Sequence, residues 1–382
     1  MAWISLLTVS LLTVSLRTVS FLTGAPMTET AVMFCAITIA VSLFLSRFST
    51  ATLRYLIPVS GAAGIAYLAP WSLLWMVALV VGLRTLAAVE RLTERRVLLV
   101  MMLCASAVVT LLFLREMPWV TALGAAYFTL RAVHVALDHW ADRYEIPSWS
   151  ELFCYMLFFP VFLAGPINRY PQFSRAIDRR RQDARDLFIG LERMLIGLFM
   201  VVVCGGWLAD SMGSNLALIG AGWSPFALDW ALSAVSWVEL YFVFAGMSSV
   251  AIGGARIIGL EIEENFNHPY LAKNLVEFWQ RWHISLTQWC RDYIYAPIAA
   301  WTRQPILGVF AAMMVLGLWH ESSTYYVIWA MWQALGIVLS RVLGRYYAPV
   351  PRGLNVVLTP VLILAWLSAA SPVALVIEGV IW

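Results

Sequence analysis

The sequence predicts an all-α fold: a polytopic membrane bundle of about 10–11 segments, supplemented by re-entrant or interfacial helices. Three observations carry this. Of 382 residues, 62% are hydrophobic and only 12% charged, with a mean hydropathy of +0.79; a soluble domain carries about twice that charged share. Apolar stretches recur along the whole chain, several near bilayer-spanning length. They run apolar rather than alternating, which argues against the strands of a membrane β-barrel.

Residues 1–30 are read as an extension or an irregular first segment. Their five-residue repeat, SLLTVSLLTVSLRTVS over 5–20, fits neither helical nor strand period, and it lacks the basic start and A-x-A-like site of a cleaved signal. Apolar helices are expected at 31–45, 55–69, 71–89 and 97–114, within an amino-terminal membrane region spanning 31–126. Further segments follow at 119–136, 149–164, 187–209, 228–244, 306–319 and 325–339, and a last membrane helix at 354–377 within 346–382. Several are too short to cross ~30 Å at ~1.5 Å per residue, so they tilt, pack inside protein or re-enter.

Charge placement tests this order. Lys273 is the only lysine, and loop arginines gather in three groups. Arg84, Arg91, Arg95 and Arg96 mark one cytoplasmic loop, Arg169, Arg175, Arg179, Arg180, Arg181 and Arg185 a second, and Arg341, Arg345 and Arg352 a third. An odd number of apolar segments separates the first two loops, so one segment enters and leaves on the same side. The short segment 149–164, carrying Pro160 and followed by Gly-Pro, fits that part, because broken helices are tolerated at membrane depth inside protein.

Three polar constellations interrupt the apolar pattern. Within 127–140, Arg131, His134 and Asp138 are three and four apart and share one helical face. They read as an internal ion pair satisfying buried charge, with a substrate pathway as the functional counterpart. Within 263–298, a single helix over 275–293 would place Trp279, Trp282, Leu286, Trp289 and Tyr293 on one side and Glu277, Arg281, Ser285, Gln288 and Asp292 on the other. That is the pattern of a helix lying at the membrane interface. His283 falls at the edge of its apolar stripe.

The third constellation is His320 and Glu321, set in apolar and aromatic residues over 313–336. Glu-Ser-Ser-Thr at 321–324 suits a helix break and a new start. Intramembrane ionisable groups are functional candidates, and histidine suits proton transfer near neutral pH. No metal site is expected: His134, His139, His268, His283 and His320 show no ligand spacing, and Cys35, Cys104, Cys154, Cys204 and Cys290 form no CxxC pair. There is no phosphate-cradling glycine loop and no GxSxG elbow.

The stretch 239–298, with ENFN-PYLA, EFW-RWHISL and W-RDYIY-P in succession, resembles the membrane-bound O-acyltransferases, and among them the bacterial alginate O-acetylase type. GLWH at 317–320 is similar to that family's signature histidine motif, and FLAGPINRYPQF at 162–173 to an upstream element. The likeness defines a catalytic core over 127–345. It implies a ring of helices around a central tunnel, in which His320 is the general base and His283 a second histidine that positions donor or acceptor. Trp319, Glu321, Trp279, Arg281, Asn265, Arg291, Asp292 and Gln333 complete the expected site.

The implied reaction moves an acetyl or other short acyl group from a cytoplasmic thioester to a hydroxyl of a glycan or small metabolite. The donor is acyl-CoA, acetyl-CoA first, and no cofactor is permanently bound. The expected partners are the lipid bilayer, acyl-CoA, the acceptor and an extracytoplasmic transferase, with no nucleic acid; the expected location is the inner (plasma) membrane. No serine or cysteine has a clear nucleophile setting, so transfer is taken as direct. Four positions depart from the family pattern: Val243 and Ser249 replace aspartates, Glu321 replaces the glycine of WHG, and Gln333 stands at a histidine position. They argue against a typical alginate acetylase. They also keep two other classes in view: a transporter or channel using buried His, Arg and Asp, and a non-catalytic relative. The chain shows no internal two-fold repeat of the kind transporters carry.

Overall fold

A computed structural model describes residues 27–90, 96–115, 124–162, 165–181, 183–344 and 352–381. The repeat at 5–20, and Arg91, Arg95 and Arg345, lie outside them. Every described element is helical, and all eleven apolar segments read from the sequence contribute to helices. In order these are α1 Met27–Ser46, α2 Thr50–Leu68, α3 Pro70–Val89, α4 Arg96–Arg115, α5 Ala125–Trp140, α6 Trp149–Met156, α7 Tyr170–Asp178 and α8 Ala184–Phe199. Then come α9 Ala209–Ile219, α10 Pro225–Ile258, α11 Leu275–Arg281, α12 Ile284–Cys290, α13 Ala296–Thr302, α14 Pro305–His320, α15 Thr324–Leu343 and α16 Arg352–Ile381. Five described stretches are long and apolar enough to cross a bilayer, and α14 and parts of α1 and α4 are shorter apolar helices. The protein is an all-α polytopic membrane protein.

The chain divides into two compact units. Among the described residues, one comprises those from 27 to 198 together with Gly246–Glu263; the other comprises Phe199–Ala245 and those from 264 onward. In the first, α5 is buried on nearly every face. Several of its polar residues are paired internally. Asp138 accepts from Arg143 at 2.6 Å and sits 3.3 Å from His134 Nδ1, and His134 Nε2 accepts from the Tyr170 N–H at 3.0 Å. Arg131 does not join that cluster. Its guanidinium stacks over the Tyr155 ring at 5.4 Å and donates to the carbonyls of Tyr155 and Pro166. The segment 149–164 breaks as its proline suggested. α6 has only 8 residues, about 12 Å of helix, and a 3-10 turn at Phe159–Val161 follows. It is too short to cross as a helix.

The second unit carries His268, His283 and His320. Here the expected single helix over 275–293 is corrected: α11 ends at Arg281, α12 begins at Ile284, and His283 between them has φ 43° and ψ 54°. A left-handed residue cannot continue a right-handed helix. α14 and α15 pack closely at Gly317, where a Cβ would lie 2.7 Å from the Tyr326 carbonyl oxygen. α15 is tied to α16 by Trp332, which stacks on Trp366 at 4.4 Å and donates to its carbonyl at 2.9 Å.

Candidate active site

The site is built on the break between α11 and α12. Asn265 is fully buried and laces the break together: its carbonyl accepts from Ile284 N–H at 2.8 Å, and its side-chain oxygen accepts from the Ser285 hydroxyl at 2.9 Å. Two residues on, the Asn267 N–H donates to the Arg281 carbonyl at 2.9 Å. Thus the ENFN and RWHIS motifs, about twenty residues apart in sequence, are two sides of one hydrogen-bonded turn. The turn holds His283 in its left-handed conformation, which costs a non-glycine residue ~1–3 kcal/mol. Such strain persists only where surrounding structure imposes it.

The turn places the His283 ring against Phe244, edge to face at 4.6 Å, and against Trp319 at 6.0 Å. Trp319 in turn meets His320 at 5.0 Å. His320 is the last residue of α14, and Tyr326, from the first turn of α15, stacks flat on its ring at 5.5 Å and 15°. Ser323 caps α15, its hydroxyl accepting from the Tyr326 N–H, so the cap aligns the stacking partner. Trp329 packs edge-on against His320 at 5.9 Å and against Trp279 at the same separation.

These side chains surround one cavity of about 70 Å³. His283, His320, Trp279, Trp329, Tyr326 and Phe244 are in its wall, and Ser233, Ser236 and Trp237 of α10 close another side. His283 is 3% exposed. Burial, and then the neighbouring His320, hold its imidazole well below the ordinary range, so it is neutral near pH 7. The arrangement offers two imidazoles in a mostly aromatic, water-poor pocket. That suits proton transfer to or from a bound hydroxyl.

The other sequence-nominated residues fall elsewhere. Trp319 touches both histidine rings from behind the cavity wall. Asn265 supports the turn. Arg281 pairs with Glu277 at 2.7 Å and donates to the Asn267 carbonyl. Arg291 pairs with Asp292 at 2.8 Å. Gln333 is buried and donates to the Leu367 carbonyl at 3.4 Å. Glu321 is exposed, with no ion pair among the described residues. Its backbone is extended, φ −163° and ψ 146°, so glycine is not required there. Sequence reading missed Phe244, Tyr326 and Trp329, and the serines of α10. The aromatic residues look like ordinary core in a chain this apolar, and the two serines lie inside an apolar span without any local signal.

Among the described residues, no group of three or more His, Cys, Asp or Glu is placed to hold a metal ion. Comparison with known proteins adds the family context. The model of the membrane-bound O-acyltransferase family matches residues 68–354. Over 234 residues the chain is 31% identical to "Probable alginate O-acetylase AlgI" of Pseudomonas aeruginosa, covering 59% of this chain and 44% of that protein. It is 28% identical over 231 residues to the teichoic acid D-alanyltransferase of Bacillus subtilis, 56% of this chain and 58% of that one. It is 31% identical over 235 residues to the peptidoglycan O-acetyltransferase of Helicobacter pylori, 59% of this chain and 42% of that one. The chain thus spans about half the length of the curated relatives it matches.

Proposed function

This chain belongs to the membrane-bound O-acyltransferase family, and from that premise we propose that it moves a short acyl group from a thioester to a hydroxyl of a cell-envelope glycan or related acceptor. His320 is the general base and His283 positions a substrate. One observation carries the reading: both imidazoles stand in the wall of a single aromatic cavity. The relatives, named for alginate, teichoic acid and peptidoglycan, support a polymeric hydroxyl acceptor and leave the acyl group open between acetyl and D-alanyl.

The chemistry follows from the residues. Neutral His320 takes the acceptor's hydroxyl proton as its oxygen attacks the thioester carbonyl carbon. The tetrahedral adduct collapses, the carbon–sulfur bond breaks, and the departing thiolate takes the proton back from the imidazolium. Tyr326, stacked on His320, keeps the ring from turning away. Cys290 is no rival nucleophile, since burial pushes its thiol up to about 12. The aromatic wall excludes water, which protects the thioester from hydrolysis.

Purified His320→Ala protein, checked for folding by its elution and melting behaviour, is expected to lose ~10²–10⁴-fold in acyl transfer. Transfer is read by mass spectrometry of envelope glycans and by thiol release. A folded variant acylating at the wild-type rate overturns the assignment.

A further inference from the structure

We propose that a basic cavity of the first unit holds the headgroup of an anionic phospholipid, its phosphate on Arg175, Arg179 and Arg181 and its headgroup hydroxyls on Gln172 and Glu263. The cavity is about 500 Å³, inside the ~300–1,000 Å³ range of small-molecule sites. Its whole lining belongs to that unit. Its place in the chain sets its depth. Asp186 lies in the first turn of α8, where the apolar stretch Ala184–Gly222 begins, and Gly259, Glu261 and Glu263 follow directly on the stretch Pro225–Ile258. Both stretches are long and apolar enough to cross a bilayer, so the cavity lies where spans meet the headgroups. The arginine pattern assigns this end to the cytoplasm.

The charges around the cavity do not cancel. Asp186 and Glu261 are both taken by Arg256, the first at 2.8 Å. Glu263 is bonded to the Gln172 side chain and feels the charge of Arg169. Arg175, Arg179 and Arg181 are exposed and have no carboxylate partner among the described residues. Their base is fixed. Arg180 donates to the carbonyls of Ile258 at 2.6 Å, Phe48 at 2.7 Å and Ser46 at 3.0 Å. Gly259 has φ 88°, and a Cβ there would strike the Arg181 carbonyl. Two features choose the ligand. Three guanidinium groups suit a phosphate, which they bind through charge-assisted, forked hydrogen bonds. The Gln172 side-chain oxygen is buried and accepts no hydrogen bond among the described residues, and a buried acceptor calls for a donor. A headgroup with hydroxyls beside its phosphate, as in phosphatidylglycerol, supplies that donor and a second one to Glu263. Basic pockets at the cytoplasmic ends of membrane helices hold anionic headgroups on this principle.

The test is native mass spectrometry of purified, delipidated full-length protein. The probes are phosphatidylglycerol, phosphatidic acid and phosphatidylcholine with matched acyl chains. Wild-type protein is expected to hold one phosphatidylglycerol about tenfold more tightly than phosphatidylcholine. The combined variant Arg175→Gln, Arg179→Gln and Arg181→Gln should bring that ratio towards one while keeping the wild-type elution and melting midpoint. Arg303→Gln, which removes an exposed arginine outside the cavity, should leave it unchanged. A wild-type ratio near one, or a ratio that survives the triple substitution, overturns the proposal. An equal fall in Arg303→Gln does the same, because it marks a general charge effect. Gln172→Leu should erase the advantage of phosphatidylglycerol over phosphatidic acid and keep both above phosphatidylcholine; an advantage that persists overturns the hydroxyl contact. Excess glycerol 3-phosphate separates the two sources of phosphate. Lipid that stays bound supports the headgroup assignment, and displacement at equal concentration makes the ligand a soluble phosphate ester and overturns it.

Discussion

Asn265 shows how much one buried side chain decides. It has no chemistry of its own, yet its two oxygens accept from Ile284 and Ser285 and so hold the turn that presents His283. Removing the side chain strands the Ser285 donors in a buried setting, a loss worth ~1–3 kcal/mol. Asn265→Ala should therefore lower the thermal midpoint in detergent and reduce turnover together; an unchanged melting curve would show that the turn holds without it. Glu321 is the opposite case. The sequence sets it beside His320 as a second anomaly, but its extended backbone and exposed side chain let a charged residue stand there without strain or burial. Adjacency in sequence did not become adjacency in the site.

At the level of elements, the site depends on where helices stop. α11 and α12 are separated by a left-handed histidine, and α14 ends on the other histidine. The second ending is held by close packing one turn earlier. Gly317 lies against the Tyr326 carbonyl, and a methyl there would meet it at 2.7 Å and Ala330 at 2.9 Å. Overpacking of this kind costs ~1–3 kcal/mol. Gly317→Ala should separate α14 from α15, misalign Tyr326 on His320, and lower both the melting midpoint and kcat. Gly222→Ala is the control, since nothing lies within 4 Å of the added methyl. Equal behaviour of the two variants would remove packing as the reason for the glycine.

At the level of the whole molecule, hydrophobicity and arginine placement set the membrane topology. The last turn of α15 carries Arg341, and this end of the helix is expected to face the cytoplasm. Gly344→Cys, in a background lacking Cys35, Cys104, Cys154, Cys204 and Cys290, tests this with a membrane-impermeant maleimide. Labelling should occur in inverted vesicles and not in intact cells; the reverse pattern would place this end of α15 outside the cytoplasm and overturn the assignment.

By itself, the sequence determined the all-helical class, the order of the apolar segments and the break at 149–164, and it singled out the two histidines as candidates. Each follows from a signal that survives without neighbours: runs of apolar residues, a proline, and ionisable groups where hydrocarbon is expected. Periodicity alone also suggested one helix through 275–293, and that failed because the strain at His283 is imposed by Asn265, distant in sequence. Only the tertiary structure decided that Arg281 pairs with Glu277, that Gln333 bonds the Leu367 carbonyl, and that Phe244, Tyr326 and Trp329 wall the histidines. In a chain this rich in aromatic residues, composition cannot separate a ring that lines a cavity from one that fills a core. That distinction belongs to packing, which long-range contacts set.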